Sequence, residues 1–383
     1  MTRQIGTPPG GRFGLLRRLR RPGLLPLHAP VLETATPEVL HYVGYDEDGG
    51  GIVSVVRALQ GAGRFACVLG VNRGARQHRE PPLPVLELPQ VDGEEISLRH
   101  FWRARPVAQK VRVWLQADAR RIFHGHSRAG LLVALWLQWF GERRVVVSVH
   151  CYGRQRWFYR WAARRLGRRL YWLSPAMRNY YGAPGIQWEQ CTPGGVPWSS
   201  ITPAQPVPDR LRLGGIGARV RWKGWHHVIA ALTLLPADLR SRVTFNHIGG
   251  GDGGCVADLA AQAEASGCAS QVVFRGVEPT SDALLGEIDA LVVASANEPF
   301  SMAVLEALAA GVPVLAADSG GALDLIQPGV NGTFYRTGDA TALAAQLRQW
   351  LEQRPAWDRA KIRATSMGIG QIADRWAKVY AAL

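Results

Sequence analysis

Cysteine is scarce in this chain, and the few present form no pattern. There are five among 383 residues, an odd number, and no two are spaced C-x-x-C. That excludes a disulfide framework and a four-cysteine zinc site, and it favours a reducing compartment, with the cytoplasm as the expected location. Long apolar runs are missing too. No window approaches the roughly 18–20 uninterrupted apolar residues of a membrane span. Near the N-terminus, Arg, Pro and His interrupt every apolar stretch, so no cleavable signal peptide is expected. Lysine is nearly absent, contributing four of the 45 basic residues. Acid is absent from the first 32 residues, while Arg12, Arg17, Arg18, Arg20 and Arg21 stand among Phe13, Leu15, Leu16 and Leu19.

The formal net charge is +15, and its placement says more than its size. Residues 1–195 carry 29 Lys and Arg against 13 Asp and Glu, whereas residues 196–383 carry 16 against 17. A second basic cluster, Arg154 to Arg169, interleaves seven arginines with Trp157, Phe158, Tyr159 and Trp161. On one helix Arg160, Arg164 and Arg168 would form a column. Cations among aromatics suit an anionic membrane surface, where rings sit at headgroup depth and arginines meet phosphates. Nucleic acid uses related chemistry but is not expected, and plain solvated charge in an arginine-rich chain is the bland alternative.

The length suffices for two α/β domains, each with its own core. Residues 1–37, broken by proline and without periodicity, are expected to form an N-terminal basic extension. A first block, 38–196, alternates strands with helices. It opens with strand Val39–Tyr45, the loop Asp46-Glu-Asp-Gly-Gly-Gly51 and helix Ile52–Leu59. Strands over Phe65–Val71, Val85–Leu88, Arg121–His126, Val145–His150 and Leu170–Leu173 follow, with helices after the later ones. A proline-rich linker is expected over 197–210. The second block, 211–370, has strands at Leu211–Gly217, Val243–Ile248, Val272–Phe274 and Ala290–Ala294. Helices close the chain at Ala340–Leu351 and Gln371–Ala382, the last (371–383) forming a separate C-terminal segment. Two blocks of this kind predict two parallel-sheet domains.

The stretch from Asp289 to Thr333 carries the most chemistry. It reads as apolar strand, acidic loop, helix, Gly-Val-Pro turn, second strand and Gly-Gly loop. Glu298 falls just beyond a strand, where open parallel sheets hold their ligands. Ser301 is placed to N-cap the next helix, so the amides of Ser301, Met302 and Ala303 would face the same crevice. Glu306 lies one turn into that helix. A phosphate at the amides and hydroxyls at the two carboxylates would suit a nucleotide-sugar.

The sequence Glu-Pro-Phe-Ser-Met-Ala-Val-Leu-Glu (298–306), with Ala-Leu-Ala-Ala-Gly-Val-Pro-Val and Ser-Gly-Gly-Ala-Leu-Asp after it, resembles the donor-site segment of retaining glycosyltransferases of family 4. The resemblance implies a GT-B fold, two Rossmann-like doubly wound domains facing across a cleft. The acceptor would be bound by 38–196 and the nucleotide-sugar by 211–370, with the final helix, 371–383, packing back toward the N-terminal domain. It implies transfer of a sugar from a nucleoside-diphosphate-sugar to a glycan, lipid-linked or other hydroxyl acceptor. It also implies roles for particular residues. Glu298 would hold sugar hydroxyls and Glu306 the ribose, with Phe300, Ser301 and Met302 lining the donor site. Gly50 and Gly51 would bring amides to the donor phosphates. His150, ending a strand in Val149-His150, would reach the donor sugar, and His124 and His126 would face the acceptor. Gly217 to Gly224 resembles the family's Gly-Arg-Leu…Lys-Gly element. Lys223 matches it, and Arg219 or Arg221 would have to replace the arginine, because Ala218 occupies its place. Asp324 stands where the family more often has Glu. No cofactor or metal is expected, because Lys, Arg and helix amides would supply a metal's electrostatics. Two rivals are a nucleotide-sugar epimerase on the same fold and a non-catalytic module that binds an anionic surface; the enzyme itself is expected in the cytoplasm or peripheral at the inner face of the membrane.

Overall fold

The computed structural model describes residues 36–44, 50–74, 82–91, 96–182, 194–196, 201–251 and 253–383. The basic extension through residue 35, residues 45–49 of the first glycine loop and Pro197 of the linker lie outside the described residues.

Two six-stranded sheets, parallel throughout, organise the chain. The first uses β1 (Glu38–Tyr42), β2 (Ala66–Asn72), β3 (Val85–Leu88), β4 (Arg121–Gly125), β5 (Val145–Val149) and β6 (Leu170–Trp172). Its helices are α1 (Gly51–Ala62), α2 (Leu98–Gln116), α3 (Arg128–Trp139), α4 (Arg156–Leu166) and α5 (Pro175–Tyr181). The second uses β7 (Leu211–Ile216), β8 (Val243–Ile248), β9 (Val272–Gly276), β10 (Ala290–Val293), β11 (Val314–Ala317) and β12 (Gly332–Tyr335). With it go α6 (Trp225–Leu234), α7 (Ala237–Arg240), α8 (Gly253–Ala265), α9 (Asp282–Glu287), α10 (Met302–Ala310), α11 (Ala322–Leu325), α12 (Ala340–Gln353), α13 (Arg359–Ala364) and α14 (Ile369–Ala381).

The strand orders are β3-β2-β1-β4-β5-β6 and β12-β11-β10-β7-β8-β9. Each places its first strand beside its fourth, so the crossovers reverse between β1 and β4 and again between β7 and β10. Ligands of open parallel sheets bind beyond the strand ends at such a reversal. The strands are apolar on both faces because helices cover both: in β1, Val39 and Leu40 are each 0% exposed.

Some elements escape the sequence pattern. The sequence pattern assigns no element to α2, which contains Pro106 and several arginines and yet runs for 19 residues. Ser97 caps it, accepting from the His100 amide, and Ala104, Val107, Ala108, Val111 and Leu115 form one buried face. The expected column Arg160–Arg164–Arg168 does not form. Gly167 turns the chain out of α4 with φ 57°, and Arg168 lies in the 3₁₀ turn that follows. Arg160 donates to the Tyr181 carbonyl at 2.6 Å, tying α4 to the end of α5.

α14 lies on the first sheet, not the second that precedes it. Trp376 and Tyr380 pack on His124 and Tyr380 on Phe65, with a bridge between Val196 and Gly368 where the chain returns.

Candidate functional site

Glycines bring the site residues together. At Gly224 (φ 76°) a Cβ would stand 2.1 Å from the Ala294 carbonyl oxygen, so only glycine lets the loop after β7 lie against the end of β10. Lys223 is thereby placed beside the loop that carries Glu298. Its Nζ meets the Glu298 carboxylate at 2.5 Å, with both side chains largely buried. Gly320 and Gly321 hold the other side of that loop. The Gly321 amide donates to the Glu298 carbonyl at 2.7 Å, and a Cβ on Gly320 would fall 2.2 Å from the same oxygen.

Beyond Glu298 the chain enters α10. Ser301 occupies its N-cap, but the side chain makes no capping hydrogen bond; it is buried, so the expected Ser301 cap is not formed. The first-turn amides therefore have neither an intrahelical partner nor a capping side chain. Phe300 is buried. Met302 reaches the opposite wall: a Cβ on Gly51 would be 3.7 Å from its Cγ, and one on Gly194 would be 2.8 Å from its sulfur. The N-termini of α1, with Gly50 at its N-cap, and of α10 thus approach each other around Met302. Helix N-termini and a lysine are groups that attract anions.

Glu306 sits on α10 near Ser281 and Asp282. Burial pushes its carboxyl above the usual range, with the Ser281 hydrogen bond opposing and Asp282 adding to the rise. Arg219 behaves differently from Lys223. Its guanidinium lies 5.6 Å from the Phe274 ring, on the β8–β9 side, and its Nε is buried without a partner. Arg221 is exposed in the short turn that ends at Lys223. Asp324 accepts from the Ala176 amide at 3.0 Å, so it engages the start of α5.

The histidines depart most from expectation. His124 and His126 do not face an acceptor; they are 0% and 4% exposed. His124 bonds Tyr380 Oη at 2.7 Å and Ser148 Oγ at 2.8 Å. His126 bonds His41 at 2.8 Å through Nε2 and His150 at 3.0 Å through Nδ1. The cause is register: His41 and His124 are paired across β1 and β4, and α14 covers that face of the sheet. His41 was not anticipated; its alternation with Val39 and Val43 on the same face was the available signal. Burial holds all of them neutral, His41 and His150 at about 3 and His124 and His126 well below the usual value, with neighbouring histidines adding to the last two. Among the described residues, His41, His124 and His126 are grouped closely enough to hold a metal, their ligand atoms lying within 4.8 Å of one another. Five of the six ring nitrogens already have hydrogen-bond partners, however, which leaves only His41 Nε2.

Residues 205–367 match the family described as Glycosyl transferases group 1. A 2-deoxystreptamine glucosyltransferase of Streptomyces kanamyceticus is 30% identical over 172 residues, 44% of this chain and 43% of its own. A D-inositol 3-phosphate glycosyltransferase of Nocardiopsis dassonvillei is 32% identical over 232 residues, 54% of this chain and 53% of its own. The chain thus spans about half the length of the curated relatives it matches. Among solved structures, Anabaena Alr3699/HepE in complex with UDP superposes with a TM-score of 0.72 at 20% identity, covering 90% of this chain and 100% of that one. Sucrose-phosphate synthase of Thermosynechococcus elongatus gives 0.71 at 18%, covering 91% and 99%. The architecture is that of the GT-B glycosyltransferases: two parallel six-stranded sheets with flanking helices.

Proposed function

We propose that this protein is a retaining glycosyltransferase that moves a sugar from a nucleoside-diphosphate-sugar to a hydroxyl of a glycan or lipid-linked acceptor. The observation that carries the proposal is the Lys223–Glu298 pair beyond the ends of β7 and β10, with Glu298 three residues ahead of the N-cap of α10. The family match and a structural neighbour holding UDP support a nucleotide donor. The diphosphate would take Lys223, with the amides at Gly50, Gly51 and the start of α10. Glu298, released from the lysine, would accept from sugar hydroxyls, Glu306 would meet the ribose, and His150 the sugar's primary hydroxyl. In this reading the bond from the anomeric carbon to the β-phosphate oxygen breaks while the acceptor oxygen bonds to the same face. The acceptor's proton passes to the departing phosphate. Charge develops on that phosphate, so a fixed cation lowers the barrier without a metal. Calorimetric titration with nucleoside diphosphates tests the site: one should bind wild type and lose at least tenfold in Lys223→Ala. Equal binding by both proteins would refute the placement.

A specific surface favours membrane docking as the setting for this reaction. α2, α3 and α4 pack side by side on the first sheet and together carry ten Lys and Arg and no Asp or Glu. Trp102, Trp139, Trp157 and Trp161 are exposed on these helices, and Phe101, Leu135, Trp139 and Trp161 line an apolar hollow between them. Such a face fits the headgroup layer of an anionic bilayer. No helix among the described residues is long and apolar enough to cross a membrane.

A further inference from the structure

His41, His126 and His150 form an unbranched hydrogen-bonded file from the interior of the first sheet to its C-terminal edge. We propose that His41 and His126 are positioning residues that hold His150 as the Nδ1–H tautomer, a donor aimed outward from the file. The inference rests on the reading of His150 as a contact to the donor sugar and deepens it.

Each neutral imidazole has one N–H and one bare nitrogen, and two N···N bonds link the three rings. Only two arrangements satisfy both bonds. In the first, His41 Nδ1 donates to His126 Nε2, His126 Nδ1 donates to His150 Nε2, and the remaining N–H is at His150 Nδ1. In the second, every donor is reversed and the remaining N–H is at His41 Nε2. These ends differ. His41 Nε2 is buried and has no partner. His150 is only partly buried, and among the described residues its Nδ1 has no hydrogen-bond partner and is not one of the buried unpaired atoms. The second arrangement strands an N–H in the interior, whereas the first leaves a bare nitrogen there and puts the N–H where water or a hydroxyl can accept it. Orphaned buried N–H groups are the rarer defect. The helix that seals the file, α14, keeps the inner end dry through Trp376 and Tyr380 on the adjoining His124. A fixed donor at His150 reads a sugar oxygen as an acceptor and leaves that hydroxyl's own proton for another partner.

The test is two-bond ¹⁵N–¹H correlation NMR of the full chain labelled at histidine, which distinguishes Nδ1–H from Nε2–H rings. His150→Gln assigns the His150 signal by its loss. Wild type should show His150 as Nδ1–H. His126→Phe keeps the ring volume but removes both nitrogens, so His150 should redistribute toward Nε2–H and kcat with a nucleotide-sugar should fall roughly tenfold. His126→Asn, which can keep an N–H donor near the lost Nδ1, should restore the Nδ1–H state and most of kcat. An Nε2–H ring in wild type, or an Nδ1–H ring unchanged in His126→Phe, overturns the proposal. Whether His150 serves transfer at all is read separately from the turnover of His150→Gln. Full activity there would refute the sugar contact while leaving the tautomer result standing.

Discussion

At the scale of single residues, Lys223 and Glu298 neutralise one another in a largely buried pair. A diphosphate must compete with Glu298 for the lysine. Glu298→Gln removes that competitor and should tighten nucleoside diphosphate binding by roughly tenfold, about 1.4 kcal/mol, while turnover collapses. Calorimetry and product assays on one preparation check both halves; weaker binding would show that the carboxylate does not oppose the phosphate. Gly320 combines φ 59° with a carbonyl oxygen 2.2 Å from its would-be Cβ. Gly320→Ala should cost roughly 2–4 kcal/mol and displace Glu298, whereas Gly253→Ala, at a position with open space, should be nearly neutral. Urea titration of both variants decides. That Lys223 follows β7, Glu298 follows β10 and Glu306 lies on α10 was legible because short spacings fix each relative to its own strand end. The partners of Arg219 and Asp324 were not. Phe274 and Ala176 lie 55 and 148 positions away in sequence, and no local pattern encodes such contacts.

Among the elements, the alternation of strand and helix was readable and α2 was not. Pro106 and the arginines mask a buried face that appears only when tertiary packing rewards it. His124 and His126, at the end of β4, were read as facing an acceptor because their burial under α14 depends on residues some 250 positions later. That burial has a consequence for stability. His41, His124 and His126 are neutral in the fold, with depressed pKa values, but ordinary, near 6.5, when unfolded. The unfolded chain therefore binds more protons below that value. Stability is fully present above about pH 6.5 and is lost as pH falls toward about 3, where His41 itself titrates. Between about pH 7.5 and 5.5 the cluster should lose stability on the order of 1 kcal/mol per histidine. Denaturant unfolding at those two pH values measures it, and a midpoint independent of pH would show that the cluster is not buried and neutral.

Over the whole molecule, one topology occurs twice without a visible sequence repeat, and the charge lies almost wholly on the first half. On the proposed function, the near-neutral second half would carry most of the donor chemistry and the basic first half would offer a docking face. Wild type should bind anionic liposomes at low salt and be released as salt screens the arginines, each cation contributing on the order of 1 kcal/mol. Because Arg160 holds α5, the test substitutes the exposed Arg164, Arg165 and Arg168 by Gln. Liposome binding should fall sharply in co-sedimentation while transfer to a soluble acceptor persists. Equal sedimentation of variant and wild type would assign those arginines to ordinary surface charge.

The central claim is that the crevice at Lys223 and Glu298 turns over a nucleoside-diphosphate-sugar. Its most direct measurement is release of nucleoside diphosphate from a panel of nucleotide-sugars, followed by NMR of the anomeric proton in the product. At least one donor should be consumed by wild type with the anomeric configuration kept, and that rate should drop by two orders of magnitude or more, roughly, in Glu298→Gln. No release above background from any donor, or equal release by wild type and Glu298→Gln, would contradict the account.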